Sequence, residues 1–540
     1  MTQVAGRVDA ARILLGDEAV ALGAIDAGIA AAYSYPGTPA TEIMETILAA
    51  APEGVTARWT VNEKTAYEAA LGVSMAGRRA LVAMKHVGLN VAADPFINSA
   101  LVAIGGGLVV AVADDPGMHS SQNEQDSRYL ADFARIACLE PADQQEAYEM
   151  TREAFDVSER FHIPVLLRLV TRIAHSRSLV TTAPPLPPGP VAKVESVADW
   201  ILIPSNARRV WRRLLGAQDD LQEWSEASPR NTLYLSQDDR GLGVITAGIG
   251  RNHYLENLPD LGFIPSHLHI GAYPVPAAAV RSLAERVERI LIFEEGYPFI
   301  ERSIAGVLPT RWEVLGKAPG PLPLDGELTP DTVRTALGLP ERPRITVAGL
   351  DLPARPPQLC KGCPHDDSFR ALLAAVGGDD GAVVMSDIGC YALGALPPYE
   401  AIESCVCMGA SVGMAAGASA AGLRPALAVI GDSTFLHSGV TPLIDAVAHD
   451  TDMTLLILDN ETVGMTGQQP TVLPGSRLEP LIAGLGVDRE HLHVLEITPK
   501  RVGELTGMLR AEMAHPGLSV IIAVRECVEA IKNRHRGGKS

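Results

Sequence analysis

Ala426-Leu-Ala-Val-Ile-Gly-Asp-Ser433 and Thr454-Leu-Leu-Ile-Leu-Asp-Asn-Glu-Thr462 decide the fold of this chain. Each is a short apolar run that passes directly into a polar turn. A run without polar alternation is a strand covered on both faces, as in a parallel sheet packed between helices. Asp432 and Asn460 are 28 positions apart (460 − 432), room for one crossover helix between two parallel strands. Both side chains then leave the carboxyl edge of one sheet, where open α/β sheets bind their ligands. One carboxylate, one amide oxygen and a nearby backbone carbonyl are hard oxygen donors that suit Mg²⁺ and leave room for phosphate oxygens. Gly431 permits a tight turn and close backbone approach. Taken singly, Gly-Asp is a common turn and Asp-Asn a common helix cap. The pairing on consecutive strands gives them weight.

Similar runs occur at 80–84, 108–113, 164–169, 242–246, 290–293, 382–386 and 518–524, separated by Ala/Leu/Glu-rich stretches of helical period. The expected fold class is therefore α/β, with three doubly wound, mostly parallel sheets. Three proline-rich stretches, at 183–190, 316–330 and 339–357, read as extended connectors. They divide the chain into expected domains at 1–182, 191–315 and 355–535, with 316–354 as a linker.

Composition bounds the function. The chain has 540 residues, 47% hydrophobic and 20% charged, which excludes a mainly disordered protein. Aromatics are only 5% and glycines number 50, favouring tight helix-on-sheet packing. Acidic residues outnumber basic ones by 64 to 45 and no basic run stands out, so nucleic acid and anionic membranes are not expected partners. Met1-Thr2-Gln3 begins no signal peptide, and the apolar stretch 97–113 is short for a membrane span and reads as a buried strand with its approach. A cytoplasmic protein is expected.

Seven cysteines, without a secretory signal, are metal ligands, reactive groups or core filler more often than disulfides. Cys360-Lys-Gly-Cys363 precedes an expected helix at 368–376. Cys390 follows the strand 382–386, and Cys527 follows the strand 518–524. Two of these four thus leave the same sheet edge as Asp432 and Asn460. Four convergent thiolates suit Zn²⁺ or an iron–sulfur cluster, and unliganded core cysteines are the bland alternative. Cys138, Cys405 and Cys407 are read as packing. Gly409, Gly413 and Gly417, at every fourth position, are read as close helix-on-sheet packing.

In the first segment, Tyr35-Pro-Gly-Thr-Pro-Ala-Thr-Glu42 places Thr38 as an N-cap with Pro39 at the first helical position. Such a helix start can hold a carboxylate or simply be capped. Trp59-Thr-Val-Asn-Glu63 opens a second helix on Glu63, which on a plain surface helix is an ordinary first-turn acid.

The Gly431-Asp432…Asn460 pair resembles the signature of thiamine diphosphate enzymes. The resemblance implies Mg²⁺ and the diphosphate held by Asp432, Asn460 and the backbone carbonyl of Thr462. Ser433 replaces the usual glycine, at a position whose side chain is not a ligand. The cysteine set resembles that of 2-oxoacid:ferredoxin oxidoreductases, implying one [4Fe–4S] on Cys360, Cys363, Cys390 and Cys527 beside the cofactor. Tyr35–Glu42, Asn62-Glu-Lys64, Met84-Lys-His-Val-Gly-Leu-Asn-Val-Ala-Ala-Asp-Pro95, His119-Ser-Ser-Gln-Asn-Glu-Gln-Asp-Ser-Arg128, Cys360-Lys-Gly-Cys-Pro-His365, Ser386-Asp-Ile-Gly-Cys390 and Gly431-Asp-Ser-Thr-Phe-Leu-His437 extend it. Together they resemble the large (α) subunits of indolepyruvate:ferredoxin oxidoreductases over essentially the whole chain, in the order pyrimidine-binding, transketolase-C-like and diphosphate-binding domain.

By that resemblance Glu63 hydrogen-bonds the aminopyrimidine ring and so helps remove the thiazolium proton, Thr38 contacts the 2-oxoacid, and Arg128 holds its carboxylate. His365 lies near the cofactor, Lys85 and His86 line the pocket, and Asp387, Gly431 and Ser433 join the cofactor-binding set. The implied reaction is oxidative decarboxylation of aryl pyruvates such as indolepyruvate or phenylpyruvate, with CoA as acyl acceptor. Electrons go to ferredoxin or another redox protein. The implied partner is a small β subunit, in a hetero-oligomer such as α2β2. Many such α subunits continue into a ferredoxin-like domain, whose cysteine runs this sequence does not contain, leaving the electron acceptor open. The alternatives are a non-oxidative thiamine diphosphate-dependent 2-oxoacid decarboxylase, which needs no cluster, and a scaffold subunit with a structural zinc.

Overall fold

The computed structural model describes residues 11–192, 194, 196–305, 313–317, 320–343, 357–377, 381–473 and 475–537. The chain forms two compact units, Met1–Thr346 and Val347–Ser540.

The second unit is built on six parallel strands in the order Ser404–Cys405, Val383–Ser386, Ala426–Gly431, Met453–Asp459, Leu518–Val524, Leu492–Glu496. Alternate residues of the central strands feed two cores. Leu427, Val429, Leu456, Leu458 and Ile521 face the helices Pro364–Val376 and Val502–Met513. Ala428, Ile430, Leu455, Ile457 and Ile522 face the helices Ala410–Ala420, Val440–Ala448 and Leu478–Gly484. Burying one such Leu, Ile or Val side chain is worth about 1.5–3 kcal/mol, so a one-residue slip of a central strand exchanges every contact on both faces. The register pairs Gly431 with Leu458, which brings the Asp432 and Asn460 turns side by side at the carboxyl edge.

The first unit holds a seven-stranded sheet in the order Ala272–Tyr273, Cys138–Leu139, Val165–Val170, Leu108–Asp114, Ala80–Lys85, Ala31–Ser34, Thr56–Trp59. It is parallel except for Ala272–Tyr273. A five-stranded sheet follows in the order Glu313–Leu315, Arg289–Phe293, Leu242–Ala247, Ser266–Ile270, Thr232–Tyr234, antiparallel only at Thr232–Tyr234. An antiparallel ribbon of Ala11–Leu15 and Arg177–Thr181 ties the chain ahead of the helix Gly16–Asp26 to the segment that follows Val165–Val170. Each expected strand is present. The chain read as two domains, 1–182 and 191–315, contributes to one unit because Ala272–Tyr273 completes the edge of the first sheet.

Four expectations change. The linker 316–354 is not wholly a connector: Leu322, Leu328 and Val333 enter the core beside Val244 and Phe293, and the helix Pro330–Ala336 is capped by Thr329. Residues 318–319 and 344–354 of that stretch lie outside the described residues. The glycine row is not close packing, since a Cβ at Gly413 or Gly417 would meet open space; Gly409 alone is tight, with φ +88° and Ser438 against it. Cys405 and Cys407 are exposed, on and beside the edge strand, while Cys138 is buried as expected. Of the stretch 97–113, residues up to Ser99 belong to the helix Ala93–Ser99. Among the described residues no helix is long and apolar enough to cross a membrane.

Candidate functional site

Asp432 is 2% exposed and its Oδ2 is buried without a hydrogen-bond partner among the described residues. Burial, then the nearby Asp459 carboxylate, pushes its pKa up to about 8. A buried carboxylate so placed calls for a cation, and the neighbouring donors supply the rest of a hard-oxygen set. Asn460 is held at both ends of its amide. Its Nδ2 faces His365 Nε2 at 3.3 Å, and its Oδ1 accepts the Thr462 N–H at 3.2 Å. An amide nitrogen only donates, so His365 Nε2 is the acceptor here. Burial, then Arg525, lowers the His365 pKa to about 4, which keeps the imidazole neutral and able to accept. His365 therefore acts on Asn460, fixing which end of the amide points to the edge.

Gly431 is needed for closeness and not for its turn. Its backbone is ordinary extended chain (φ −80°, ψ 158°), but a Cβ there would lie 2.6 Å from the Tyr391 ring. Ser433 Oγ bonds Thr471 Oγ1 at 3.0 Å. Asp387, at the end of Val383–Ser386, accepts the Ser411 N–H at 3.0 Å and so caps the helix Ala410–Ala420; its Oδ1 is buried without a hydrogen-bond partner among the described residues. Burial raises its pKa.

The four cysteines converge on this edge. Burial, followed by the Cys363, Cys527 and Cys360 charges, pushes the Cys390 thiol up to about 12. Burial likewise pushes Cys363 up to about 11, with Cys360 and Cys527 adding to it. The Cys527 N–H donates to the Asn460 carbonyl at 3.2 Å, tying a cysteine to the Asn460 turn. Arg525 holds the other pair: its Nη2 donates to the Gly362 carbonyl, between Cys360 and Cys363, at 2.8 Å, and its Nη1 pairs with Asp367. A Cβ at Gly464 would sit 2.9 Å from Cys390 Sγ. Among the described residues no three of these sulfurs lie within 4.8 Å of one another. Zinc bonds of about 2.3 Å in a tetrahedron hold sulfurs about 3.8 Å apart, so this set is wider than one zinc requires.

In the first unit Glu63 is 4% exposed and opens the helix Glu63–Met75, whose cap is Asn62 accepting the Thr65 N–H. Gly88 packs directly on it: a Cβ there would lie 2.6 Å from Glu63 Oε1. Thr38 is not an N-cap. The Ala40 N–H bonds the Gly37 carbonyl, closing a turn over 37–40, so the helix runs Thr41–Ala50. The Thr38 carbonyl accepts from Ser120 Oγ at 3.2 Å. Lys85 Nζ donates to the Ser120 carbonyl at 3.2 Å, and its stem lies against Gly37. Burial lowers the Lys85 pKa, while Asp115 and Glu63 pull it back up. The stretches quoted around Thr38, Glu63, Lys85 and His119 thus meet in one place. His86 donates through Nε2 to Asn123 oxygens at 3.2 Å and lines a cavity of about 380 Å³ with Asn90, Tyr129, Tyr297 and Arg302.

Comparison with known proteins assigns both regions. Residues 22–186 match the family model for pyruvate flavodoxin/ferredoxin oxidoreductases, thiamine diphosphate-binding, and residues 387–522 that for the C-terminal TPP-binding domain of thiamine pyrophosphate enzymes. Over 97% of its length the chain is 36% identical to the indolepyruvate oxidoreductase subunit IorA of Archaeoglobus fulgidus, covering 88% of that protein. This chain belongs to the IorA family. The IorA subunits of Methanothermobacter thermautotrophicus (36% identity, 95% of this chain, 86% of that one) and Pyrococcus abyssi (35%, 98% and 87%) agree.

One residue expected from the IorA resemblance is placed elsewhere. Arg128 does not present a fork to a substrate. It is 1% exposed and every guanidinium nitrogen is engaged. Nε and Nη2 bond Asp126, Nη1 lies 3.0 Å from Glu294 and 3.3 Å from the Tyr273 hydroxyl, and Nη2 also reaches the Glu295 and Tyr297 carbonyls. Arg168 is buried beside it, on Asp114 and Glu140. Burial works against both arginines, but the surrounding carboxylates outweigh it and raise their pKa values. Two buried arginines among five acids form the polar heart of the first unit. Periodicity missed Gly88, Tyr391, Gly464 and Arg525, whose roles exist only through contacts across the fold. Arg525's place two residues before Cys527 is the one signal the sequence offers.

Proposed function

We propose that this chain is the catalytic α subunit of a 2-oxoacid oxidoreductase. It decarboxylates an aryl pyruvate oxidatively and passes the acyl group to CoA and the electrons through one [4Fe–4S] to ferredoxin or another low-potential acceptor. What supports this most is the cysteine set joined to the Asp432–Asn460 edge through the Cys527 N–H and the Asn460 carbonyl. The non-oxidative decarboxylase has no use for those cysteines.

In this assignment Asp432, Asn460 and the Thr462 carbonyl hold Mg²⁺, and the orphaned Asp432 Oδ2 is the atom that most needs it. Thiamine diphosphate, when bound, supplies the electron sink for loss of CO₂. Glu63 hydrogen-bonds the aminopyrimidine end, and a side chain at Gly88 would collide with its carboxylate. The turn bearing Thr38, fixed by Ser120, contacts the 2-oxoacid. His365 is a positioning residue, acting through Asn460. Cys360, Cys363, Cys390 and Cys527 ligate the cluster. A small β subunit completes the assembly, in a hetero-oligomer such as α2β2, in the cytoplasm.

The test is an anaerobic assay of 2-oxoacids with CoA and a viologen dye, the small subunit co-expressed. Brown protein absorbing near about 400 nm that reduces the dye with aryl pyruvates is expected. Colourless protein releasing aldehyde without dye reduction would establish the decarboxylase instead. Glu63→Gln should abolish turnover while cofactor binding persists; undiminished turnover refutes its role.

A further inference from the structure

A second group of metal-ligating side chains lies in the first unit. Asp17, Glu42 and His175 each bring a ligand atom within 4.8 Å of the others, and among the described residues no other group of three does so. Local structure forces the meeting. The ribbon pairs Leu15 with Arg177, which sets the first turn of the helix Gly16–Asp26 beside the end of the helix Thr171–His175. Gly16 permits the approach, since a Cβ there would lie 2.2 Å from the Ile173 carbonyl oxygen. Glu42 comes from the first turn of Thr41–Ala50, whose Ile43, Met44 and Ile47 are buried in the same core as Ala19 and Val20.

Asp17 is the decisive member. It is 0% exposed, and neither oxygen has a hydrogen-bond partner among the described residues. The first-turn acid beside it does other work: Glu18 accepts the Leu15 N–H at 2.7 Å. A fully buried carboxyl without a donor, next to a second carboxylate, is costly unless a cation joins them. His175 Nε2 and Glu42 Oε2 are 3.3 Å apart, which is the edge, about 3.3 Å, of a tetrahedron with bonds of about 2.0–2.1 Å. Both side chains are about one-third exposed, leaving a side open for water as a fourth ligand.

We propose that Asp17, Glu42 and His175 form a binding site for a divalent transition-metal ion, Zn²⁺ by its mixed imidazole and carboxylate donors. The ion clips three helices together and pins the first turn of Thr41–Ala50, four residues beyond Thr38. The site stands on its own geometry and holds whatever reaction the subunit catalyses.

The experiment uses the purified full chain with Mg²⁺ and thiamine diphosphate in excess. ZnCl₂ is titrated calorimetrically, and bound metal is counted after dialysis. His175→Ala, at a partly exposed position, should keep the circular dichroism of the wild type and bind one zinc fewer per chain. Glu42→Gln and Asp17→Asn should lose the same equivalent. Zinc should raise the melting temperature of the wild type and leave that of His175→Ala unmoved. Equal zinc stoichiometry in wild type and His175→Ala overturns the site. So does saturation by Mg²⁺ alone that zinc cannot displace, since an imidazole ligand favours zinc.

Discussion

Replacing Asp432 by Asn should stabilise the cofactor-free chain and remove its response to the cofactor. The folded pKa of about 8 lies above the ordinary 3.8, so folding takes up a proton between these values. The carboxyl contributes no penalty below about pH 4; the penalty then grows by about 1.4 kcal/mol per pH unit and levels off above about pH 8. At pH 7 the span 7 − 3.8 is about 3.2 units, or about 4 kcal/mol; the same arithmetic gives about 3 at pH 6, and at pH 8, where half of the folded carboxyls are already charged, the penalty is about 5. The Asn amide has its own hydrogen bonds to satisfy, which returns about 1–3 kcal/mol. A net gain of about 1–3 kcal/mol at pH 7 follows, and the second unit should melt several degrees higher, at roughly 2–4 °C per kcal/mol. Thermal melts of metal-stripped wild type and variant at pH 6, 7 and 8 measure this, repeated with MgCl₂ and thiamine diphosphate. The cofactors should raise the wild type and leave Asp432→Asn unmoved. A variant less stable than wild type at every pH, or a gap that does not widen from pH 6 to pH 8, would refute the assignment of Asp432 as a charge awaiting a cation.

Three further outcomes are expected. Cys390→Ser should lose the colour and the iron of anaerobically purified protein, whereas Cys407→Ser, at an exposed position, should keep both; unchanged iron in the first removes Cys390 from the ligand set. His365→Phe should weaken Mg²⁺ binding about 10–100-fold by freeing the Asn460 amide, the usual size of an outer-shell loss, and titration of the apo chain with Mg²⁺ and thiamine diphosphate reads it directly. Arg128→Met strands Asp126 and Glu294 in the interior and should cost about 3–5 kcal/mol of stability in urea melts; a variant of full stability with a raised KM for the 2-oxoacid would instead return Arg128 to the substrate.

Strand runs and the polar turns after them were legible because burial on both faces leaves an uninterrupted apolar signature. The nine runs read from the sequence are all strands. Among the strands that escaped, Thr56–Trp59 and Leu492–Glu496 lie at sheet edges, where one face is wet and the pattern dilutes. Cysteine convergence was legible in outline, since two of the four leave strands of known direction. Arg128 shows the opposite case. An arginine in a motif reads the same whether it faces a pocket or a buried acid, and its partners Glu294 and Glu295 are more than 160 positions away. Thr38 failed for a local reason: Ser/Thr-Pro announces a helix start, but the turn over 37–40 delays it to Thr41.

The sequence alone determined the α/β class, the carboxyl-edge position of Asp432 and Asn460 and the kinship of the motifs, because these follow from periodicity and spacing along one chain. Only the tertiary structure decided that His365 orients an amide, that Arg128 is locked among acids and that Asp17 meets His175. Those facts depend on desolvation and on contacts between distant residues. Neither is encoded in any local pattern.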